Sequence, residues 1–243
     1  WQTNELDGYA TLARFLLYDR SPLTDNNVVK LLHNGEETFP AISAALEEAR
    51  HHIHIEYYIY TDDHIGNKIK EILIRKAKEG IQVRFIYDDF GSHDIGKRLT
   101  TELKENGVEV YPFYRITFFH LANRINYRNH RKIIVIDGVC SFVGGINISD
   151  RYINNGTEQT YWRDTHIMIR GSGTHHLQYL FLCDWNFCAN QKIKIIPEFF
   201  SKEKEAEGNT LVQIAASGPD SDAPTIMYSL MQAIALAKKE ILI

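Results

Sequence analysis

The sequence predicts an α/β fold in which a largely parallel sheet is flanked by helices. Short β-branched runs alternate along the chain with amphipathic stretches whose apolar residues recur at helical spacing. The composition, with 44% hydrophobic and 24% charged residues over 243 positions, is typical of a globular protein that can bury a substantial core. The apolar runs are strand-sized and fall well short of the roughly 18 residues that a membrane span requires.

Charge and cysteine content exclude some classes of protein. The net charge is −4, which argues against a protein that coats nucleic acid through bulk charge. The three cysteines, Cys140, Cys183 and Cys188, are odd in number and form no C-x-x-C pair. They therefore predict neither a disulfide framework nor a zinc ribbon, and they favour a reducing compartment.

The first half of the chain is predicted to alternate between strands and helices. Asn34-Gly35 follows the first strand, Pro40 suits a first helical turn, and Gly80 and Gly107 end two later helices. The predicted elements are a strand over 28–32, a helix over 40–49, a strand over 53–60, a helix over 65–77, a strand over 81–87, a helix ending at 106 and a strand from 108.

The second half begins with a predicted β-hairpin. Strands over 131–136 and 141–143 flank Asp137-Gly138, a pair that favours the tight turns of hairpins. The elements predicted after the hairpin are a strand over 164–170 and a helix over 177–188.

An internal duplication underlies the predicted domain organisation. Residues 39–55 align without a gap with residues 227–243, and four of the seventeen aligned positions are identical. The predicted parts are an N-terminal segment over 1–27, a first repeat over 28–197, a solvated connector over 198–210 and the start of a truncated second repeat over 211–243. The second copy is expected to continue beyond Ile243.

The densest chemical signal lies on the first strand of the hairpin. Residues two apart on a strand share a face, so His130 and Lys132 project together. An imidazole beside a fixed ammonium suits attack on a phosphodiester, because the ring can act as nucleophile while the cation neutralises the phosphate oxygens. Asp137 has the opposite parity and lies in the turn, so its physical role is expected to be bracing the hairpin.

The surroundings of this strand favour an anionic ligand. Gly144 and Gly145 allow backbone N–H groups to approach an anion closely, and Asn147 adds a side-chain donor. Residues 110–136 contain no Asp or Glu but five basic residues: Arg115, Arg124, Arg128, Arg131 and Lys132. The alternative interpretation is a solvated basic loop next to an ordinary hairpin.

The His-x-Lys-x4-Asp spacing of His130, Lys132 and Asp137 resembles the signature of the phospholipase D superfamily, and further motifs are similar to the bacterial cardiolipin synthases. These motifs are Asn126-x-Arg128-Asn129-His130-Arg131-Lys132, Gly144-Gly145-Ile146-Asn147-Ile148-x-Asp150-x-Tyr152, Trp162-Arg163-Asp164-Thr165-His166, Glu56-Tyr57-Tyr58-Ile59 with Asp63, Val83 to Ser92, and Asp184-Trp185. The resemblance runs from about residue 28 to the end of the chain. It implies a phospholipase D-like mixed sheet, of which this chain holds the first of two duplicated halves.

The resemblance also implies site roles. His130 would be the nucleophile that forms a phosphohistidine, or its general-acid partner, and Asp164 would orient it. Lys132 and Asn147 would hold the phosphate, with Gly145 and Arg128 also binding substrate, and Asp137 would complete the catalytic signature. The family uses two motifs per active site and no metal or other cofactor, so a second motif is expected in the rest of the chain or from a homodimer.

The implied function is phosphatidyl transfer, in which cardiolipin is made from two phosphatidylglycerols. The expected partners are this anionic phospholipid and a membrane surface, without nucleic acid. The expected location is the bacterial cell membrane, with the anchor in a segment missing from this chain. The alternatives are phosphodiester hydrolysis by a phospholipase D or nuclease, and a non-catalytic module that binds anions or lipids.

Two weaker patterns have alternative interpretations. His52, His54 and Glu56 share one face of a strand and could imitate a metal site, but satisfied or surface histidines at a sheet edge are the preferred interpretation. An aromatic-rich stretch before the basic residues predicts either buried core or an apolar lip for acyl chains. Its members are Phe113, Tyr114, Phe118, Phe119 and Leu121.

Overall fold

The computed structural model describes residues 9–113, 128–154, 160–189, 191–200, 208–218, 221 and 223–242. The helices in these parts are α1 (Ala10–Tyr18), α2 (Asn34–Glu48), α3 (His64–Lys78), α4 (Lys97–Glu105), α5 (Thr174–Cys188) and α6 (Thr225–Leu236). The strands are β1 (Thr24–His33), β2 (His52–Tyr57), β3 (Gln82–Asp88), β4 (Glu109–Phe113), β5 (Lys132–Ile136), β6 (Cys140–Gly144), β7 (Thr165–Arg170) and β8 (Thr210–Val212). No helix in these parts has the length and apolar character needed to cross a membrane.

The described strands form one mixed sheet in the order β4-β3-β2-β5-β6-β7-β1-β8. Only the β2–β3 and β3–β4 pairs are parallel, while the other neighbouring pairs are antiparallel. The predicted α/β class with flanking helices is confirmed, but the expectation of a largely parallel sheet is wrong. Helices separate the strands only as far as β4, and β5, β6 and β7 then pair as a meander without the crossover helices that parallel pairing needs.

Both faces of the sheet are covered at β5. Ile134 and Ile136 of β5 belong to the core formed with α2, α3 and α4, whereas Ile133 and Val135 pack toward α5. This double burial explains why β5 reads as a continuous apolar run after Lys132.

The hairpin forms where the sequence predicts it. Asp137 and Gly138 both have positive φ angles, of 54° and 68°, and the Val139 N–H donates to the Ile136 carbonyl at 3.0 Å. This backbone is the turn that Asp-Gly pairs favour between antiparallel strands. The turn fixes the register of β5 and therefore the face on which Lys132 lies.

Helix α2 begins earlier than predicted, at Asn34, and Pro40 lies inside it. The His33 N–H donates to the Glu37 carboxylate at 2.9 Å, and Glu36 and Glu37 both lie in the first turn. Acidic side chains at the N-terminal end stabilise a helix because they interact favourably with its dipole. They also accept hydrogen bonds from N–H groups that have no partner within the helix. Asn34 and Gly35 thus follow the first strand as predicted, but they form the first turn of α2.

The predicted connector over 198–210 is not solvated throughout. Phe199 is 2% exposed and its ring lies 5.1 Å from that of His52 and 5.2 Å from that of His54. Residues 201–207 of the connector lie outside the described residues. Beyond it, β8 adds to the sheet beside β1, so the start of the predicted second repeat extends the first sheet. The duplication itself stays a prediction.

Candidate active site

Lys132 begins β5, His130 precedes the strand by two residues, and Tyr58 lies against both. The exposed His130 ring stacks on the Tyr58 ring with 4.0 Å between centroids and an angle of 18° between the planes. The Lys132 Nζ donates to the His130 carbonyl at 2.7 Å and lies 5.2 Å from the centroid of the Tyr58 ring. The sequence identified Tyr58 only as part of a motif, because strand parity cannot reveal a contact between distant segments.

The electrostatics of this group suit an anionic ligand. Lys132 is 9% exposed, and burial lowers its pKa to about 8 although Asp164 and Asp88 oppose the shift. No described carboxylate lies within ion-pair distance of its ammonium. Burial, and then the Lys132 charge, lower the pKa of His130, so its imidazole is neutral near pH 7 and carries a free electron pair.

Asp164 is fixed beside the site but does not hydrogen bond to His130 among the described residues. Its carboxylate accepts the Thr165 N–H at 2.7 Å and faces the Trp162 Nε1 at 3.4 Å. Its backbone exchanges two hydrogen bonds with Asn34, at 2.9 and 3.0 Å. The expected orienting contact with His130 is therefore replaced by stacking on Tyr58, and Asp164 acts on Lys132 through charge.

Gly145 has a different role from the one predicted. Its N–H donates to the Thr165 carbonyl at 3.1 Å and is not free for an anion. A Cβ atom on Gly145 would lie 2.1 Å from Asp164 Oδ1, so the glycine is required because the carboxylate occupies that space. The prediction that its N–H binds substrate is corrected accordingly.

Asn147 is buried and both ends of its side chain are bonded. Its Oδ1 accepts the Ile59 N–H at 3.1 Å, and its Nδ2 donates to the Tyr152 hydroxyl at 2.7 Å. The second N–H of the amide has no hydrogen-bond partner among the described residues. The contacts shown here hold the segment after β2, which carries Tyr58.

Arg128 lies two residues before His130 in the chain and contacts Phe90. Its guanidinium carbon is 3.6 Å from the centroid of the Phe90 ring, and Phe90 is half exposed. Its charge contributes to the lowered pKa of His130. Arg115 and Arg124 of the predicted basic segment lie outside the described residues, as do Tyr114, Phe118, Phe119 and Leu121 of the predicted lip.

Asp137 lies at the far end of β5, about 16 Å along the strand from Lys132 at roughly 3.3 Å per residue. Its carboxylate accepts the backbone N–H groups of Arg50, His51 and His52, each at 2.8 Å. Both oxygens of the carboxylate are thus engaged by the backbone leading into β2, and the catalytic role implied by the His-x-Lys-x4-Asp signature stays a prediction. The bracing role predicted from its parity agrees with these contacts.

His166 is a feature of the site that sequence reasoning missed. Its side chain is fully buried, and neither ring nitrogen has a hydrogen-bond partner among the described residues. The register of β5, β6 and β7 sets it across β6 from Lys132. Burial lowers its pKa to about 4, so it is neutral and adds no charge beside the Lys132 ammonium. Only its place at the end of the Trp162 to His166 motif signalled it.

The histidines of β2 are satisfied within the core rather than lying at a sheet edge. His52 and His54 both hydrogen bond to Gln178 of α5, at 3.0 and 3.2 Å. The His54 ring stacks on Phe181 with 4.5 Å between centroids. Within the described residues, no group of three or more His, Cys, Asp or Glu side chains has the arrangement of a metal site.

The sequence profile of the family described as cardiolipin synthase, PLD-like domain, matches residues 42–171, which include His130 and Lys132. The chain belongs to this family. Cardiolipin synthase 2 of Bacillus anthracis is 46% identical over 213 residues, which cover 87% of this chain and 41% of that protein. Cardiolipin synthase of Geobacillus sp. (strain WCH70) is 44% identical over 223 residues, covering 91% of this chain and 44% of that protein.

The chain thus spans less than half the length of these cardiolipin synthases. Solved structures share its fold. Phosphatidylserine synthase of Haemophilus influenzae Rd KW20 has a TM-score of 0.58 at 12% identity, covering 93% of this chain and 57% of that one. Nuc of Salmonella typhimurium, a phospholipase D family member, has a TM-score of 0.52 at 15% identity, covering 67% and 96%. The predicted phospholipase D-like fold is confirmed.

Proposed function

We propose that this chain supplies the His130 half of the active site of a phosphatidyltransferase that makes cardiolipin from two phosphatidylglycerols. The observation that carries the proposal is the pairing of an exposed, neutral imidazole with a buried ammonium that no described carboxylate balances. The family membership and the 46% identity to a cardiolipin synthase support the choice of substrate class.

The first half-reaction forms a covalent lipid intermediate. A nitrogen of His130 attacks phosphorus, a P–N bond forms and the P–O bond to glycerol breaks. A second acid must protonate the departing glycerol oxygen, because an alkoxide is a poor leaving group. Lys132 offsets the negative charge that grows on the non-bridging oxygens.

The second half-reaction releases the product. A hydroxyl of another phosphatidylglycerol loses its proton to the group that served as acid, attacks phosphorus and displaces His130, so that the P–N bond breaks and cardiolipin forms. A second histidine motif, in a further half of the protein or in a second copy, is proposed to supply that acid and base. Because both substrates are bilayer lipids, we place the reaction at a membrane surface in a bacterial cell.

The proposal is tested with the protein as its gene encodes it. Purified protein is incubated with vesicles containing phosphatidylglycerol labelled in its headgroup, and the products are separated. Equal amounts of cardiolipin and free glycerol are expected, whereas phosphatidic acid would indicate hydrolysis by water. Loss of a generic diester without lipid transfer would contradict the proposal.

His130→Ala should abolish cardiolipin formation, because among the described residues it is the exposed neutral imidazole beside the Lys132 cation, whereas the neutral His166 is fully buried. The matched control is His93→Ala, which removes a histidine whose side chain is 74% exposed and contacts Asp94. Circular dichroism and thermal melting establish that both variants fold. Turnover by His130→Ala at a tenth of the normal rate would refute the nucleophilic role.

A further inference from the structure

A buried polar cluster lies behind His130, on the face of β5 turned toward α5. We call it the Asn129 cluster, and its members are Glu56, Asn129, Arg131 and Asp184. They come from three separate segments: β2, the residues leading into β5, and α5. The proposed chemistry uses none of these side chains.

Asn129 is buried and fixes the backbone on both sides of His130. Its own N–H donates to Asp88 Oδ2 at 3.0 Å, and its Oδ1 accepts the Arg131 N–H at 3.0 Å. Its Nδ2 donates to Glu56 Oε1. His130 therefore lies between two residues whose backbone N–H groups are both hydrogen-bonded. The N–H of Asn129 donates to Asp88, and the N–H of Arg131 donates to the Asn129 side chain.

Both carboxyl oxygens of Glu56 find hydrogen-bond partners only if Glu56 carries a proton. It is 1% exposed, and its Oε2 receives no hydrogen bond from any described residue. The Asp184 carboxyl group lies within hydrogen-bonding reach, and Arg131 Nη1 forms an ion pair with Asp184 Oδ2. Two buried carboxylates in contact cannot both be ionised, whereas one O–H···O⁻ bond satisfies the unpaired oxygen.

The charges around Glu56 agree with this state. Asp184 is balanced by Arg131, and burial and then the Asp184 charge raise the pKa of Glu56 well above its usual range. The Cys188 thiol of α5 also faces the cluster, and burial raises its pKa too, so it stays neutral. The charges of Arg131 and Asp184 therefore balance beside a neutral Glu56, while the buried Asp88 carboxylate, which accepts the Asn129 N–H, borders the cluster.

We propose that Glu56 is a positioning residue for His130: its protonated carboxyl group bridges Asp184 to Asn129 and so fixes the backbone that presents the imidazole to phosphorus. This inference rests on the proposed role of His130 as nucleophile. The consequence for the reaction is orientation, since a displacement of about 1 Å in a reacting group can lower a rate on the order of 10²-fold.

The test compares two substitutions of Glu56. Glu56→Gln keeps the shape and both hydrogen bonds of the neutral acid, because its oxygen accepts from Asn129 and its amide donates to Asp184. Glu56→Leu removes both bonds. We expect Glu56→Gln to keep kcat within about threefold, and Glu56→Leu to lower kcat by roughly 10²-fold with KM unchanged. Equal losses in the two variants would overturn the proposal, as would a folded Glu56→Leu with normal kcat.

A second pair of variants covers the case in which Glu56→Leu does not fold. Asp184→Asn removes the anion that balances Arg131 and should lower kcat at least tenfold, in contrast to Glu56→Gln. The opposite pattern, with Asp184→Asn active and Glu56→Gln impaired, would assign the proton to Asp184 and refute the inference.

An NMR measurement separates this inference from the proposed function. Stacking on Tyr58 moves the ring-proton signals of His130 upfield, and this displacement reports the position of the imidazole without any turnover. It should persist in Glu56→Gln and shrink in Asp184→Asn. If the wild-type protein makes no cardiolipin but the signals follow this pattern, the function is wrong and the positioning is right; signals unmoved in Asp184→Asn would overturn the positioning.

Discussion

Lys132 holds a positive charge in a place where burial opposes it. Its pKa is lowered to about 8, so the ammonium is lost over a range in which an ordinary lysine stays charged. A bound phosphodiester would restore the balance, because an anion beside the ammonium favours the charged form. Burial therefore disfavours the charged form of Lys132 in the free site and strengthens the attraction between that charge and a bound anion.

The rate of cardiolipin formation should fall as the pH rises above about 8. The free site loses the Lys132 proton there, so kcat/KM should drop by about tenfold per pH unit beyond that point. Lys132→Arg stays charged throughout and should lack this fall, although its larger planar group should fit poorly and lower the rate at every pH. A pH profile of kcat/KM for both proteins makes the comparison. A wild-type profile that is flat to pH 10 would exclude Lys132 as the titrating group.

Gly145→Ala should destabilise the protein because its Cβ would lie 2.1 Å from Asp164 Oδ1. Moving the carboxylate should lower the free energy of unfolding by about 1–3 kcal/mol. Gly80→Ala is the control, since a Cβ atom on Gly80 would meet no atom within 4 Å. Its loss in the free energy of unfolding, about 1 kcal/mol, should come only from the positive φ of the residue. Urea denaturation measures both. A Gly145→Ala variant as stable as the wild type would contradict the crowding described here.

At the scale of elements, the β5–β6 hairpin is stabilised by its turn. Asp137→Asn should lower the free energy of unfolding by about 1–3 kcal/mol, because an amide offers one acceptor oxygen to N–H groups that now share two. Turnover per folded molecule should be unchanged. Thermal melting and kcat are measured together; abolished turnover at an unchanged melting temperature would restore Asp137 to the catalytic residues.

The hairpin is also the element that local sequence patterns predict best. Asp137-Gly138 is a short-range turn signal, and the two-residue spacing predicts that His130 and Lys132 project together, as their shared contact with Tyr58 shows. The contacts of His130 with Tyr58 and of Asn129 with Glu56 join segments more than 70 residues apart, so no local period encodes them. Most neighbouring strands of the sheet are antiparallel, and this likewise depends on which strands pair in the folded protein. The alternation of strands and helices along the sequence does not reveal those pairings.

At the scale of the whole molecule, α6 presents apolar side chains to solvent. Leu230 and Met231 are 61% and 59% exposed, and Ile226, Met227 and Ile234 are also more than 40% exposed. Apolar surface gathered on one helix favours association, because burying it releases ordered water. The covering partner is proposed to be the rest of a second repeat or another copy of this chain.

The 243-residue chain by itself should aggregate or pair with itself. Sedimentation velocity over a range of concentrations measures the association, and Leu230→Glu should shift it toward monomer while Thr101→Glu, on the exposed face of α4, should not. A well-behaved monomer with full transferase activity would contradict both the association and the predicted duplication.

The pairing of β8 with β1 sets an order of assembly for a chain made from its N-terminus. Strand β1 is synthesised well before its two neighbours in the sheet, which are β7, over Thr165–Arg170, and β8, over Thr210–Val212. The Ser21 hydroxyl likewise donates a hydrogen bond, at 2.6 Å, to the carbonyl of Ile214, which is synthesised 193 residues later. During translation β1 is therefore an open strand edge, which other chains can pair with. Among the described strands, β1 is synthesised before all the others, yet both of its edges are paired only after β8 has been made.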